Sequence, residues 1–374
     1  MSEWKRVKLG EIADCSLGKM LDHRKNHGTP RPYLANYNVR WGVFDLAEVL
    51  SMPFEDAEIE RYSVKPGDLL VCEGGEIGRC ALWKDSETQM MFQKALHRVR
   101  VDNAKCIPEY AFYWFLNAGK SNFFRQFSSG ATILHLPREK LLKIELALPP
   151  LATQRRIAAI LSDYDAAIAN CRKQIALLEE AAMRLYREWA KKDMGKKVLL
   201  VDVVEVVYGF PFEGKLFNSK GDGLPIVRIR NVPEGESNDY TVETAPDRYV
   251  VRDGDLLIGM DGEFYVNFWS GGDAYLVQRT CRLRPNEDRL TGYIREAIRK
   301  PIEEFQAAIV GSTVGHLGKR DIDTITITLP TDCEFVKLLQ KGFVQQLNYR
   351  KQIRSLTEAR DRLLPKLMSG EVTV

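Results

Sequence analysis

Between residues 157 and 189 apolar side chains recur in steps that alternate four and three: Ile157, Leu161, Tyr164, Ile168, Cys171, Ile175, Leu178, Ala182, Leu185 and Trp189. That spacing is the heptad seam of a coiled coil. Pro149-Pro150 bars helix before it, Thr153 is the predicted N-cap, and no glycine or proline follows until Gly195. At ~1.5 Å per residue the predicted helix is ~60 Å long. It reads as a strut that needs a partner along its seam; an ordinary long helix on a globular core is the alternative. A second, rougher stripe fills 332–368, with Leu339, Phe343, Leu347, Ile353, Leu356, Leu363 and Leu367. Asp332 is its predicted N-cap, Gly342 weakens it, and Pro365 is expected to end or kink it.

Elsewhere the period shortens towards two. Leu69-Leu70-Val71 after the turn Pro66-Gly67-Asp68, then Cys80-Ala-Leu-Trp83 and Leu96-His-Arg-Val-Arg-Val101, read as strands, and Pro108 opens a helix over 108–119. The same order returns after residue 196. Pro225 with Asn231-Val232 matches Pro32 with Asn38-Val39, and Gly254-Asp-Leu-Leu-Ile258 matches Gly67 to Val71. Gly262-Glu263 matches Gly75-Glu76, Trp269 answers Trp83, and Gln278 answers Gln93. Arg282-Leu-Arg284 answers Arg98-Val-Arg100, and Gly311-Ser-Thr313 with His316-Leu317 answers Gly130-Ala-Thr132 with His135-Leu136. The offset drifts from 193 residues to 187 to 181 along the copy, as short loop deletions would produce. Each copy ends in a strand-like run closing on Leu-Pro, just before a strut. The predicted class is therefore α+β: two tandem mixed modules alternating with two long antiparallel coiled-coil helices, related by a pseudo-two-fold.

Composition changes this picture little. A chain of 374 residues predicts two or three domains, and a formal net charge of +3 does not by itself imply a nucleic-acid partner. The cluster Lys5, Arg6, Lys8, Lys19, Arg24, Lys25, Arg31 and Arg40, with His23 and His27, is a local basic surface or a solvated loop. No long apolar span for a membrane occurs in the sequence, and Met1-Ser-Glu-Trp does not read as a secretory signal. The seven scattered cysteines show no disulfide or zinc spacing, which points to the cytoplasm.

Catalytic signatures are missing. No P-loop, nucleophile elbow, His-Glu-x-x-His or [Asp/Asn]-Pro-Pro-[Tyr/Phe] occurs; Leu148-Pro-Pro-Leu151 lacks a polar residue for a flipped adenine. No metal site and no cofactor is expected. A doubled module on rigid spacers reads as a binder of a bipartite target, and duplex DNA has that repeat geometry.

The stretch LPPLATQRRIAAILSDYDAAI with its long helix, the closing RSLTEARDRLLPKLMSGEV, the GDLL–GGEIGR strand and turn, and the Gly-[Ala/Ser]-Thr element before each strut resemble the specificity subunits of type I restriction–modification systems over essentially the whole chain. The resemblance implies target recognition domains at 1–150 and 196–331, and helical spacers at 151–195 and 332–374. It implies a non-catalytic DNA-recognition subunit that docks two adenine methyltransferase subunits and restriction subunits, with no membrane contact. A related two-subunit, type IIB-like restriction system is the near alternative; a coiled-coil scaffold with two protein-binding modules is the distant one. The second copy departs from the first: it has Asp261-Gly262-Glu263-Phe264 and lacks an arginine equivalent to Arg79.

The candidate DNA contacts lie in the duplicated loops. Asn36, Asn38 and Arg40 in one copy, and Arg228, Arg230 and Asn231 in the other, are read as alternating on a strand edge. Arginine pairs bidentately with guanine and asparagine with adenine in the major groove; a plain polar strand face has the same pattern. Gln93 and Lys94 with Gln278 and Arg279, taken as matched places, and Arg79 complete the reading face. Thr132 and Thr313 suit phosphate contacts or turns.

Overall fold

The computed structural model describes residues 4–22, 24, 26–129, 134–192, 195–308 and 315–374. The apolar run after Gly67 forms strand Leu69–Cys72, which no water reaches. It is an inner strand of an antiparallel sheet ordered Ala13–Leu17, Leu96–Val101, Leu69–Cys72, Cys80–Leu82. Gly67 sits at φ +91°, where a Cβ would be strained, so the turn into that strand requires glycine. A second sheet is ordered Leu50–Phe54, Thr29–Leu34, Met91–Phe92, and its last two strands run parallel. Helix Pro108–Lys120 begins with its proline where the missing N–H has no partner to lose. It buries Tyr110, Phe112 and Phe115, and the Tyr110 hydroxyl donates to Ala147 O at 2.7 Å.

The second copy has the same plan. Its four-stranded sheet is ordered Val204–Tyr208, Thr280–Pro285, Leu256–Gly259, Val266–Phe268. Leu224–Val227 runs parallel to Ala274–Leu276, as Thr29–Leu34 does to Met91–Phe92. The buried ion pairs repeat too. Asp68 accepts both arms of Arg100 at 2.6 and 2.7 Å, and Asp255 accepts both arms of Arg284 at 2.8 and 2.7 Å. The neighbouring Arg98 and Arg282 are buried, which lowers both guanidinium pKa values; they donate to Ser63 O and Val250 O. Each copy closes with a two-stranded ladder, Lys5–Lys8 on Glu145–Leu148 and Gly195–Leu199 on Thr326–Pro330. The second sheets differ in size, three strands in the first copy and five in the second, so the doubling read from spaced matches is a doubling of the four-stranded sheet, the parallel strand pair and the closing ladder.

The long helices are Leu151–Ala190 and Cys333–Ser369. The first starts two residues before the expected cap. Thr153 is inside it, and its backbone N–H donates to Pro150 O at 2.9 Å. Buried Gln154 locks that end instead, donating to Pro149 O and Lys105 O and accepting from Ile107 N–H. Asp332 does cap the second helix: its Oδ1 accepts from Glu334 and Phe335 N–H at 2.9 and 3.1 Å. Pro365 does not end the helix, which continues to Ser369. Burial of Leu364, Leu367 and Met368 around the proline holds the last turn.

The chain divides into two compact units, one of Met1–Ala166 with Leu356–Val374 and one of Ala167–Ser355. Within the first unit, Ile157 and Leu161 share a core with Leu364, Leu367 and Met368, and Arg360 donates to Asp165 at 2.6 Å. Within the second, Trp189 stacks on Phe335 at 5.1 Å, and Ala182 shares a core with Val336, Leu339 and Phe343. In each unit, then, the two helices run in opposite senses. Seam positions 157, 161, 168, 171, 182 and 189 are buried, but Leu185 is 38 % exposed. Tyr186 packs inward in its place.

Candidate nucleic-acid interface

In each unit the same four segments meet at one end of the four-stranded sheet. In the first, Arg79 donates to Asn36 O at 2.8 Å, Glu73 N–H donates to Ala95 O at 3.0 Å, and Gly74 bridges His135. In the second, Met260 N–H donates to Arg279 O at 2.9 Å, Leu317 N–H donates to Met260 O, and Asp261 bridges His316. Short strands ending together in polar turns create this loop cluster.

The structure re-aims several predicted residues. The segments 36–38 and 229–231 are one-turn 3₁₀ helices, so their residues do not alternate on a strand edge. Asn38 is 1 % exposed, and its amide is consumed: Oδ1 accepts from Ala35 N–H, and Nδ2 donates to Asp45 O and Glu48 O. It caps the turn and has no group left for a base. Asn231 makes the equivalent cap on Arg228 N–H at 3.0 Å. Asn36 is partly exposed and offers its carbonyl to Arg79. Arg79 is only 15 % exposed and ties Glu76 to that carbonyl, which makes it a brace of the loop cluster. Arg40 is exposed beside Asp45, and Arg228 lies over the Phe217 ring. Lys19, counted in the basic surface, is buried against Glu58 and the Phe54 ring. Thr132 and Thr313 lie outside the described residues.

Arg230 is exposed and forks onto Asp239 at 3.0 and 2.5 Å. Asp239 is only 19 % exposed and takes both arms, so a base must compete with this carboxylate for the guanidinium. Arg230→Ala is expected to weaken binding by ~1–3 kcal/mol at one base position. Competition binding on single-base variants checks this; an equal loss on every sequence would mark a phosphate contact.

The pairing of Gln93 and Lys94 with Gln278 and Arg279 shifts by one. Gln93 N–H donates to Leu34 O and Val277 N–H to Val227 O; Lys94 N–H donates to Lys19 O and Gln278 N–H to Phe210 O. Gln93 therefore corresponds to Val277, Lys94 to Gln278, and Ala95 to Arg279. Lys94, Gln278 and Arg279 are exposed, and Gln93 is half-buried. Arg279 holds φ +70°, which costs a non-glycine residue about 1–2 kcal/mol. Its Nε lies 3.4 Å from Asp261 Oδ2 and its Nη1 3.2 Å from His316 Nδ1, while His316 Nδ1 lies 2.5 Å from Asp261 Oδ1. Sequence reasoning did not place Asp261 at the site. The signal was there, since Asp261 stands where the first copy has Gly74.

Residues 1–180 match the family model described as the type I restriction modification DNA specificity domain. The EcoBI type I restriction enzyme specificity subunit of Escherichia coli is 29 % identical over 177 residues, which is 47 % of this chain and 36 % of that protein. The MjaIX type I specificity subunit of Methanocaldococcus jannaschii is 25 % identical over 352 residues, 82 % of this chain and 78 % of that one. In fold, the crystal structure of the type I restriction–modification S subunit from M. genitalium superposes with TM-score 0.56 at 17 % identity, over 97 % of this chain and 96 % of that one. Among the described residues no helix is long and apolar enough to cross a membrane.

Proposed function

We propose that this chain, which carries a type I restriction–modification DNA specificity domain and groups with the specificity subunits of those systems, binds a split, asymmetric duplex target and brings methyltransferase and restriction subunits to it. In this reading 1–150 and 196–331 are the target recognition domains, and 151–195 and 332–374 are helical spacers. One observation carries it: a four-stranded sheet of one strand order occurs twice, each with a parallel strand pair beside it and a matching loop cluster that bears different side chains. Equal frames give two equivalent readers; unequal side chains, Lys94 and Ala95 against Gln278 and Arg279, give two different half-sites. Phosphates position such a reader and base edges specify its target. The chain supplies no catalysis; methyl transfer to the adenine amine and cleavage belong to the partners. The exposed ends of the two long helices are the docking surface this reading assigns to those partners.

The test is to co-express the chain with its methyltransferase and map methylated adenines across the host genome. Two short, different sequence blocks at a fixed gap are expected. A contiguous motif, or methyl transfer by the purified chain alone, would overturn the reading.

A further inference from the structure

We propose that Arg279, held by Asp261 and His316, is a guanine-reading residue of the second unit, and that the first unit has no counterpart to it. The inference rests on the duplex-binding function above and assigns one base preference within it.

Three segments converge on Arg279. Asp261 leads out of strand Leu256–Gly259, His316 bridges Asp261, and Arg279 closes the turn before strand Thr280–Pro285. The contact of 2.5 Å between His316 Nδ1 and Asp261 Oδ1 requires a proton between them, and the imidazole N–H supplies it. The 3.2 Å approach of Nη1 turns one of its hydrogens towards that nitrogen, and the second Nη1 hydrogen stays available. Nη2 has no partner among the described residues. Asp261 thus holds the Nε side of the guanidinium, while its far edge, a parallel pair of donors, faces outward on a side chain 54 % exposed. A carboxylate-braced arginine with that edge free matches O6 and N7 of guanine in the major groove.

Two further observations separate this from an ordinary surface ion pair. The backbone at Arg279 is left-handed, a conformation glycine would hold without strain, so the arginine is kept there against local preference. And the structurally equivalent positions in the first unit are Gly74, Ala95 and His135, which keep the histidine and lack both charges. The frame does not need the pair; only the second unit has it.

The experiment uses the full-length chain assembled with its methyltransferase, on duplex libraries randomised one position at a time. The wild type is expected to prefer guanine at one position of one half-site by roughly ten- to hundred-fold. Arg279→Gly is expected to collapse that preference to under about three-fold and to leave the other half-site unchanged, with a Tm equal to or above wild type, because glycine relieves the backbone. Asp261→Asn is expected to lower the same preference. If Arg279→Gly keeps the base preference, lowers affinity equally on all sequences, or lowers Tm, the assignment fails while duplex reading stands. If the wild-type complex shows no sequence preference at all, the functional reading itself fails.

Discussion

Glu179→Ala is expected to destabilise the second unit by about 3 kcal/mol, the low end for breaking a buried ion pair, because Glu179 is about a third exposed. The first long helix offers that carboxylate to two arginines of helix Thr291–Ala308: Arg295 Nη2 at 2.5 Å and Arg299 Nη2 at 2.8 Å. Arg295 is 2 % exposed, and its other arm donates to Gln346 of the second long helix. It also lies over the Phe268 ring, with Arg350 on the same ring at 3.8 Å. Burial pushes Arg350 down to about 10, with Arg295 adding to the effect. Three cations thus share few anions: besides Glu179, Glu296 Oε2 lies 3.0 Å from Arg299 Nε, and burial raises the Glu296 pKa. Burial also pushes Glu179 up, but Arg295 and Arg299 outweigh it and hold its pKa below the usual carboxylate range. The sign follows: the folded state binds its proton later than the unfolded chain, so this stability is present above the ordinary glutamate pKa and is lost as pH falls below it. Thermal melts at neutral and acidic pH check this. A Glu179→Ala melt equal to wild type at neutral pH would refute it.

That network marks where sequence reading stops. The seam from Ile157 onward was legible because it repeats, and the modules because they repeat in order. The miss at Leu185 comes from arithmetic. A straight α-helix drifts ~20° per heptad from a strict 3.5-residue count. Four heptads past Ile157 the stripe has rotated by about one position, so Tyr186 faces inward and Leu185 outward. Trp189 returns to the core because it lies close to a whole number of turns from Ile157.

The site was legible as loops and only partly as residues. Matching by letter paired Gln93 with Gln278, whereas the backbone ladder pairs Gln93 with Val277. Identity of residue type and identity of place differ wherever a turn shifts by one. Asn38 shows a second limit. An asparagine that caps a turn and one that reads adenine use the same amide, and only burial tells them apart. The fold confers these roles through contacts between distant segments, such as Gln154 with Lys105.

Removal of residues 356–374 is expected to unfold the first unit, although all its strands lie before residue 150. The linear boundaries 1–150 and 332–374 would keep module and helix apart, but the compact unit joins Met1–Ala166 to Leu356–Val374. Leu364, Leu367 and Met368 are 2 %, 0 % and 5 % exposed, and they share a core with Leu9, Ile157 and Leu161. Each such side chain contributes ~1.5–3 kcal/mol on burial, so three contribute ~5–9 kcal/mol, comparable to the whole stability of a typical domain. Arg360, which donates to Asp165 at 2.6 Å, and Asp361, which accepts from Lys120 at 2.6 Å, are lost with them. Loss of Arg360 also strips the partner that offsets the Asp165 carboxylate beneath the Tyr113 hydroxyl. Hydrogen exchange on the truncated chain reads the outcome: amides in Leu69–Cys72 and Leu96–Val101 should lose protection, while those in Leu256–Gly259 keep it. Leu367→Ala is the milder form, at about 2–5 kcal/mol. Full protection of the first sheet after truncation would mean that the N-terminal module folds alone and that the C-terminal helix serves it only as a spacer.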